Sequence, residues 1–365
     1  MGKTSQVARA FYDPTKTYDD NFDDGPSQVF KSEETYVNKG VPKFTFLGKK
    51  IYSPFGIPAG PVLNSKYVKY TFERGFDVVV YKTQRSTKFK VNDFPNVLYV
   101  DVDGDLTLEK AEKALVGRSE INKSTKEISI TNSFGNPSRG PEFWVPDMKK
   151  AHDYQGKGQL LIASVVGTIK ESFSNDDYYD DFAEAASLAA KSGVEAIEIN
   201  LSCPNVANEG ILCYTQSAVA ATTNKVKAKI GDIPLIVKFG YYTADQENLL
   251  LNIMKDIAPY VAAVSTINTI PAPVVDEAGQ QALPGPNRLK SGICGASVKW
   301  AGLDMVKRLS AIRKTQGMNF EIIGVGGVMT PKDFKQYRDA GADVVQSATG
   351  AMWNPRLAAE IKATL

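Results

Sequence analysis

The residues with the clearest chemical potential lie in one short segment, Asn200-Leu201-Ser202-Cys203-Pro204-Asn205. Asparagines flank Cys203, and Pro204 stiffens the turn after it. A cysteine buried in a core is ordinarily inert. A thiol is nevertheless a few per cent thiolate at neutral pH, and nearby lysines or helix ends raise that fraction. The flanking asparagines and proline favour the reactive interpretation, in which Cys203 accepts a proton or attacks a carbon.

Two lysines and a set of carboxamides occupy similar positions elsewhere. Lys82 ends the apolar run VVVYK, and Lys238 ends LIVK. A buried lysine is costly unless it meets an anionic or electron-rich group, so each predicts either a ligand contact or a structural ion pair. Carboxamides bind a planar polar ring through paired donors and acceptors without adding charge. The amides in comparable positions are Asn132, Asn136, Asn200, Asn205 and Asn268.

Glycine-rich turns late in the chain indicate a phosphate site. Gly324–Val328 reads GVGGV, and Ser347–Gly350 reads SATG. Glycines let backbone N–H groups approach an anion, and a following helix adds its positive end. The spacing is not the G-x-G-x-x-G fingerprint of dinucleotide sites. Together with Gly292–Ala296 (GICGA), the two turns predict a phosphate-bearing cofactor.

These residues need strands to position them, and eight strand-like apolar runs alternate with helical stretches. Eight strands with crossover helices predict an α/β fold, a closed (β/α)₈ TIM barrel whose site lies where the strands end. The alternative is an open doubly wound sheet. The runs are Phe55–Gly60, Val78–Thr83, Leu160–Gly167, Ala196–Ser202, Leu235–Gly240, Ala262–Thr269, Ile322–Val328 and Val344–Gly350.

We expect residues 1–365 to form a single barrel domain with two additions. Residues 1–50 precede the first strand as an N-terminal extension. Residues 84–150 are too long for one crossover and form an inserted excursion between strands 2 and 3, over the carboxyl-terminal face. Two helices are expected in the crossovers. Asp180–Lys191 is Ala-rich, and Pro331–Ala340 begins with the capping pair Thr330-Pro331.

Composition excludes several classes of function. With 43 basic and 41 acidic residues, the net charge of +2 gives no reason to expect a nucleic-acid partner. Three cysteines and one histidine, His152, supply neither a disulfide framework nor a metal site. The first 50 residues hold no signal-type apolar stretch, and no run approaches the roughly 18 apolar residues of a spanning helix. We expect a cytoplasmic protein without a membrane partner.

From about residue 43 to the C-terminus, these motifs resemble the dihydroorotate dehydrogenases, which are FMN enzymes on such a barrel. The strongest element is NLSCPN at Asn200–Asn205. The soluble class 1 branch has its catalytic cysteine there, and the membrane-associated class 2 branch has serine. The chain has Cys203 at this position, and no apolar N-terminal helix is expected. It therefore resembles class 1, and above all the fumarate-using 1A type.

The resemblance implies a role for each matching residue. Cys203 is the catalytic base, and Lys82 contacts both flavin and substrate. The residues implied to hold the pyrimidine ring or surround it are Lys82, Asn132, Ser133, Phe134, Gly135, Asn136, Asn200, Asn205, Asn268 and Thr269. The residues implied to hold FMN are Ala59, Gly60, Lys82, Thr83, Asn132, Ser164, Asn200, Lys238, Ile267, Gly295, Gly326, Gly327, Ala348 and Thr349.

The implied reaction is the oxidation of (S)-dihydroorotate to orotate in pyrimidine biosynthesis, by a homodimer that passes electrons to fumarate. NAD through a partner subunit, a quinone and oxygen are the other acceptors. Two features depart from the family. Asn136 stands where leucine is common, and Val206–Gln216 is not the usual lid sequence. The alternatives are therefore a flavin barrel acting on another dihydropyrimidine-like ring, or a phosphate-binding barrel without catalysis.

Overall fold

The computed structural model describes residues 10–170, 172–202 and 212–365. Strands and helices are numbered in chain order. The strands are β1 (Phe44–Phe46), β2 (Lys49–Ile51), β3 (Phe55–Ile57), β4 (Val78–Gln84), β5 (Lys88–Phe89), β6 (Tyr99–Val100), β7 (Leu115–Arg118), β8 (Ser129–Asn132), β9 (Ser138–Arg139), β10 (Leu160–Val165), β11 (Ile197–Asn200), β12 (Leu235–Phe239), β13 (Ala263–Thr266), β14 (Ile270–Val275), β15 (Lys290–Gly295), β16 (Glu321–Val325) and β17 (Val344–Gln346).

The helices lie mainly in the crossovers between strands. They are α1 (Tyr18–Asp24), α2 (Gln28–Ser32), α3 (Ser65–Glu73), α4 (Leu108–Ala111), α5 (Pro141–His152), α6 (Asn175–Ala190), α7 (Gln216–Ile230), α8 (Glu247–Ile257), α9 (Lys299–Gln316), α10 (Pro331–Asp339), α11 (Thr349–Trp353) and α12 (Leu357–Lys362). Within the described ranges, none of them is long and apolar enough to cross a membrane.

Eight parallel strands close into a barrel in the order β10-β11-β12-β13-β16-β17-β3-β4. This confirms the predicted (β/α)₈ fold and excludes the open doubly wound sheet. The observed strands are shorter than the predicted runs. The run predicted as Ala262–Thr269, for example, leaves the barrel ladder after Thr266. The backbone N–H groups of its next residues donate to neighbouring strand ends, since Ile267 N donates to Val325 O at 2.9 Å and Asn268 N donates to Phe239 O at 3.0 Å.

The barrel interior is apolar at its amino-terminal end. All seven residues of β4 are buried, and successive side chains of a strand point to opposite faces. Val78 and Val80 belong to an interior cluster that also contains Leu160 and Ile162 of β10. Val79 and Tyr81 belong instead to the larger cluster packed under the helices. Two-sided burial explains why these strands read as continuous hydrophobic runs.

A short hairpin closes the amino-terminal end of the barrel. β1 pairs with β2 antiparallel, and Phe46 and Ile51 join the interior cluster. The turn is tied down because Leu47 N donates to Glu321 Oε2 at 2.7 Å. The last part of the expected N-terminal extension thus covers the amino-terminal end of the barrel.

The earlier part of that extension reaches a different region. The ring centroids of Tyr12 and Phe134 lie 5.3 Å apart, and those of Tyr18 and Phe134 lie 5.8 Å apart. Arg139 forms an ion pair with Asp19 at 2.9 Å. Residues 10–24 therefore pack against the segment that carries the predicted substrate residues 132–136.

The crossover helices begin where capping residues stand. Thr330 accepts a hydrogen bond from Asp333 N at 3.3 Å, so α10 begins at Pro331 as predicted. The helix predicted at Asp180–Lys191 begins earlier, at Asn175, because Ser174 and Asp177 form a capping box. The apolar pattern alone missed this first turn, which carries several acidic residues.

A second, smaller closed sheet, here called the cap sheet, has the strand order β14-β15-β8-β6-β7. Residues 84–150 contribute β6, β7 and β8, and they also contain the crossover helix α5. The hairpin β14–β15 was not predicted. Gly292–Ala296, which was grouped with the two glycine-rich turns as a sign of a phosphate-bearing cofactor, is mostly strand. Prolines at 271 and 273 break the usual strand pattern, which explains the error.

Candidate active site

A cavity lies where the carboxyl ends of the barrel strands meet the cap sheet. Amides and lysines dominate its polar lining, and no carboxylate or imidazole among the described residues contributes to it. The lining residues are Pro58, Ala59, Gly60, Lys82, Thr83, Asn132, Gly135, Asn136, Asn200, Lys238, Asn268, Thr269, Cys294, Val325 and Ala348.

A local irregularity brings Lys82 and Thr83 to this cavity together. β4 and β10 lose register where Ala163 pairs with Tyr81 but Val165 pairs with Gln84. The extra residue in β4 is typical of a β-bulge, which allows consecutive side chains to face one side. Lys82 is 3% exposed, and its Nζ lies 5.7 Å from the ring centroid of Phe134.

Lys238 contributes the second buried ammonium group. It is the penultimate residue of β12, it pairs with Asn200 of β11, and it is 7% exposed. Among the described residues it forms no ion pair with a carboxylate. The structural ion pair considered from the sequence is therefore not found for Lys238 in that part of the chain. A buried cation of this kind favours an anionic or electron-rich ligand.

Asn200 and Asn268 hold each other in fixed orientations. Asn268 Nδ2 donates to Asn200 Oδ1 at 3.2 Å and also to the carbonyl oxygen of Ser202. Ser202 N donates to the same Asn200 Oδ1 at 3.2 Å. Because Asn200 Oδ1 already accepts two bonds, the amide nitrogen of Asn200 remains to bind a ligand in the cavity.

The segment Asn132–Asn136 turns sharply after β8. Gly135 and Asn136 have φ values of 80° and 49°. This left-handed conformation favours glycine and is tolerated best by asparagine among the other residues. Asn136, which departs from the leucine common in class 1, therefore suits its own backbone.

Side chains from outside the segment Asn132–Asn136 hold it in place through hydrogen bonds. The carbonyl oxygen of Ser133 accepts hydrogen bonds from Asn92 Nδ2, Asn96 Nδ2 and Arg288 Nη2 at 3.2, 3.1 and 3.2 Å. Arg288 Nε donates to Ser133 Oγ at 3.1 Å, and Nη1 donates to Asp93 O at 2.8 Å. Arg288 was not predicted from the sequence, because the hairpin whose loop carries it was not recognised.

Hydrogen bonds continue from the cavity into the barrel. Thr83 Oγ1 lies 3.0 Å from Ser164 Oγ, which lies 2.9 Å from Glu198 Oε1. Ser164 was predicted to line the cofactor, but it is not among the residues that line the cavity. It contacts the cavity through Thr83. Glu198 was not predicted, although it precedes Asn200 by two residues on the same face of β11.

The predicted phosphate residues lie beside the cavity. Gly326 and Gly327 have φ values of 127° and 65°, and a Cβ on Gly327 would lie 2.6 Å from Lys299 Cβ. Tyr337 Oη donates to the carbonyl oxygen of Gly326 at 2.6 Å. Gly295 has a different local explanation. A Cβ there would lie 2.3 Å from Ile128 O, because β15 runs close against the chain leading into β8.

Cys294, which was not among the predicted site residues, lines the cavity. Its Sγ accepts a hydrogen bond from Thr349 Oγ1 at 3.6 Å. Burial raises the pKa of the Cys294 thiol to about 11, while Thr349 and Lys238 act in the opposite direction. Burial therefore disfavours the thiolate form of Cys294.

The structure brings most of the predicted residues together. The lining includes every predicted site residue in the described ranges except Ser133, Phe134, Ser164, Ile267, Gly295, Gly326, Gly327 and Thr349. Phe134 approaches Lys82 directly, and Thr349 contacts the lining residue Cys294. Cys203, Asn205 and the first part of Val206–Gln216 lie outside the described residues. Their predicted roles remain predictions.

Comparison with known proteins decides the family. The family model for dihydroorotate dehydrogenase matches residues 120–365. A dihydroorotate dehydrogenase of Dictyostelium discoideum is 36% identical over 360 residues, which cover 96% of both chains. The chain belongs to the dihydroorotate dehydrogenase family.

Other relatives extend the comparison within the dihydroorotate dehydrogenases. The catalytic subunit of a dihydroorotate dehydrogenase B (NAD(+)) from Staphylococcus carnosus is 30% identical, over 71% of this chain and 78% of the relative. A crystal structure of the Eimeria tenella enzyme in complex with ferulenol has a TM-score of 0.69 and 17% identity, covering 92% of this chain and 86% of that one. The latter likeness concerns the fold.

Dihydroorotate dehydrogenases are flavin-dependent enzymes, and the cavity has the chemistry to hold a flavin. Thr269 lines the cavity, and its buried Oγ1 has no hydrogen-bond partner in the described structure. Lys238 offers a buried positive charge, and Gly60 leaves open space where a Cβ would stand. These groups suit an electron-rich planar ring with several acceptor atoms.

Proposed function

We propose that this chain uses FMN to oxidise (S)-dihydroorotate to orotate, with fumarate as the electron acceptor. The observation that carries this proposal is the cavity itself. It combines two buried lysines with the mutually oriented amides of Asn200 and Asn268. A planar ring with carbonyl and N–H groups matches such a lining better than a substrate that requires carboxylate or metal chemistry.

FMN would occupy the barrel side of the cavity. When bound, it supplies the acceptor for the hydride that leaves C6 of the substrate. Lys82 and Lys238 would stabilise negative charge on the cofactor, because preorganised positive groups in a buried site act strongly on developing charge. The remaining proposed contacts of the ring and its phosphate are Ala59, Gly60, Thr83, Asn132, Ser164, Asn200, Ile267, Gly295, Gly326, Gly327, Ala348 and Thr349.

The pyrimidine ring would lie on the cap side. Its proposed contacts are Lys82, Asn132, Ser133, Phe134, Gly135, Asn136, Asn200, Asn205, Asn268 and Thr269. Fixing the ring in one orientation lowers the entropic barrier to reaction. Asn200 and Asn268 are suited to this role because their own hydrogen bonds fix their orientation.

Cys203 is proposed to take the proton from C5. Among the described residues the cavity offers no carboxylate or imidazole, and the thiol of Cys294 has a pKa raised to about 11. Cys203 follows Ser202 directly, and Asn268 binds the carbonyl oxygen of Ser202. The proposed base is thus attached to a backbone position that the site already holds.

Anaerobic mixing with dihydroorotate tests the assignment through flavin bleaching. We expect Cys203→Ala to bind FMN and to lose flavin reduction by about 10²–10⁴-fold, the usual contribution of general-base catalysis. Cys203→Ser should lose less, since a hydroxyl can relay a proton. Cys213→Ala, a change at a buried cysteine, is the matched control. Wild-type reduction rates in Cys203→Ala would refute the role of Cys203.

An acceptor screen with the reduced protein tests the choice of fumarate. Several relatives are named catalytic subunits of NAD(+)-dependent enzymes, so NAD through a partner subunit is the second candidate. Fumarate should reoxidise the isolated chain rapidly, and NAD should not. Rapid reoxidation by oxygen or a quinone, with none by fumarate, would exclude the proposal for the acceptor alone.

We propose that residues 1–365 act as one domain, with residues 1–50 and 84–150 as its extension and insertion, in a cytoplasmic homodimer. The single domain is supported by the cap sheet, where β8 pairs with β15 from a distant part of the chain. Light scattering on the purified protein measures the oligomeric state, and a monomeric mass would contradict the dimer.

A further inference from the structure

A polar layer lies inside the barrel, directly above its apolar interior. Ala196, Ala263 and Val344 belong to the interior cluster, and the residues two positions later face the same way. Those residues are Glu198 of β11, Ser265 of β13 and Gln346 of β17, and all three are fully buried. The layer thus replaces hydrophobic side chains by hydrogen-bonding groups just where the strands approach the cavity.

This layer is only partly satisfied. Glu198 Oε2, Ser265 Oγ and both polar atoms of the Gln346 side chain are buried without a hydrogen-bond partner in the described structure. Buried polar atoms are nearly always paired in native proteins, so four unpartnered atoms in one layer require an explanation. A functional role is one usual explanation of such atoms, and the cavity lies directly above this layer.

Glu198 is the charged member of the layer. Its Oε1 accepts a hydrogen bond from Ser164 at 2.9 Å, and it forms no ion pair with any described lysine or arginine. A buried carboxylate without a cation destabilises a fold, and replacement by a hydrophobic residue is often neutral or stabilising. Its presence is therefore better explained by an effect on the site than by stability.

The position of Glu198 indicates which groups of the site its charge would affect. Asn200, two residues later on the same face, lines the cavity, and its partner across the strands is Lys238. Ser164 links Glu198 to Thr83, which also lines the cavity. The carboxylate therefore lies one layer below the groups proposed to surround the flavin, and its charge opposes that of the two lysines.

We propose that Glu198 is a positioning residue that lowers the reduction potential of the bound flavin. A buried negative charge disfavours electron uptake by a neighbouring group, because charges interact strongly in a medium of low dielectric constant. The two lysines favour electron uptake, and Glu198 limits their effect. Ser164 fixes the carboxylate in place, so that the opposing charge stays at a constant distance from the ring. The inference rests on the proposed FMN site.

The test compares FMN-loaded variants equilibrated anaerobically with a reference dye at one fixed potential. In Glu198→Gln we expect the ratio of reduced to oxidised FMN to rise about tenfold, which is about 30 mV for a two-electron couple. Glu198→Asp keeps the charge and should stay near the wild-type ratio. Glu321→Gln is the matched control, since Glu321 lies at the opposite end of the barrel and binds Leu47 N.

A second variant separates this role from a structural one. Glu198→Met removes the unpaired charge at similar volume, so it should raise the melting temperature of the FMN-free chain while it shifts the ratio in the same direction. It also replaces Glu198→Gln if that variant does not fold. Failure of both variants to fold would mark Glu198 as structural and overturn the inference.

The other possible results distinguish failure of the role of Glu198 from failure of the proposed function. An unchanged ratio in Glu198→Gln, or an equal shift in Glu321→Gln, would overturn the role of Glu198. A wild-type protein that binds no flavin would instead defeat the proposed function. A wild-type protein that binds FMN and is bleached by dihydroorotate, with Glu198 variants that leave the ratio unmoved, defeats this inference alone.

Discussion

The two sides of the cavity are built in different ways. On the barrel side, Lys82, Asn200 and Lys238 each lie near the carboxyl end of a separate parallel strand. On the cap side, Asn132 and Cys294 lie on β8 and β15, two strands from distant parts of the chain that pair antiparallel. The residues on the barrel side are thus positioned by the repeated parallel strands. The residues on the cap side depend on the pairing of β8 with β15, which are far apart in the chain. We expect substitutions on the barrel side to affect chemistry most, and those on the cap side to affect substrate binding and stability.

Among the variants that compare the two sides, the largest effect is expected from Asn268→Ala on the barrel side. It removes a proposed substrate contact and also the bond that orients Asn200. Misplacement of a substrate can cost about 10²-fold, so kcat/KM for dihydroorotate should fall by at least that factor. Steady-state kinetics measures it, with the exposed Asn319→Ala as control. A fall of less than about threefold would show that the amide pair does not position the substrate.

Lys238→Ala should weaken cofactor binding. A hydrogen bond to a charged group contributes about 1.5–3 kcal/mol, so the Kd for FMN should rise about 10–100-fold. Fluorescence titration of the FMN-free protein measures this change. Lys335→Ala, at an exposed lysine, is the control. An unchanged Kd would mean that Lys238 has a structural role in the barrel and does not bind the cofactor.

Arg288→Lys tests the cap side. Lysine keeps the charge but cannot reproduce the planar contacts with Ser133, Asp93 and Pro95. We expect KM for dihydroorotate to rise about tenfold, equivalent to about 1.4 kcal/mol, with FMN content unchanged. Arg118→Lys, at an exposed arginine of β7, is the control. A loss confined to kcat would argue against an effect through the substrate segment.

The smallest effect is expected at Asn136. A non-glycine residue at its φ of 49° is strained, so Asn136→Ala should lower the free energy of unfolding by about 1 kcal/mol relative to Asn136→Gly. Both variants lack the amide, so their difference isolates the backbone. Urea denaturation measures it. Equal stability of the two variants would remove the explanation given for asparagine at this position.

The same contrast explains what could be predicted from the sequence. The eight barrel strands are buried on both faces, so each one appears as a short hydrophobic run, and a polar residue near its carboxyl end stands out. Lys82, Asn200 and Lys238 were predicted in this way, and all three line the cavity. The cap hairpin gave no such signal, because Pro271 and Pro273 lie within β14 and glycines lie within β15.

Other features escaped prediction because they depend on three-dimensional contacts. Arg288 looks like a surface residue in the sequence, yet it is 7% exposed and bonded to backbone oxygens. Cys294 and Glu198 likewise acquire their importance only from their neighbours. Close packing that the sequence does not reveal also requires glycine at two positions, since Gly295 contacts the chain before β8 and Gly327 approaches Lys299.

The cap sheet also limits how such a protein can be rearranged. Its strands come from two insertions that are separated in the chain by four of the eight barrel strands, and each insertion supplies edges that the other must cover. Transplanting either insertion alone from a relative would expose unpaired backbone and a mismatched interface. Recombination between homologues should therefore exchange both insertions at once, so that the two segments evolve as a single unit despite their separation in the chain.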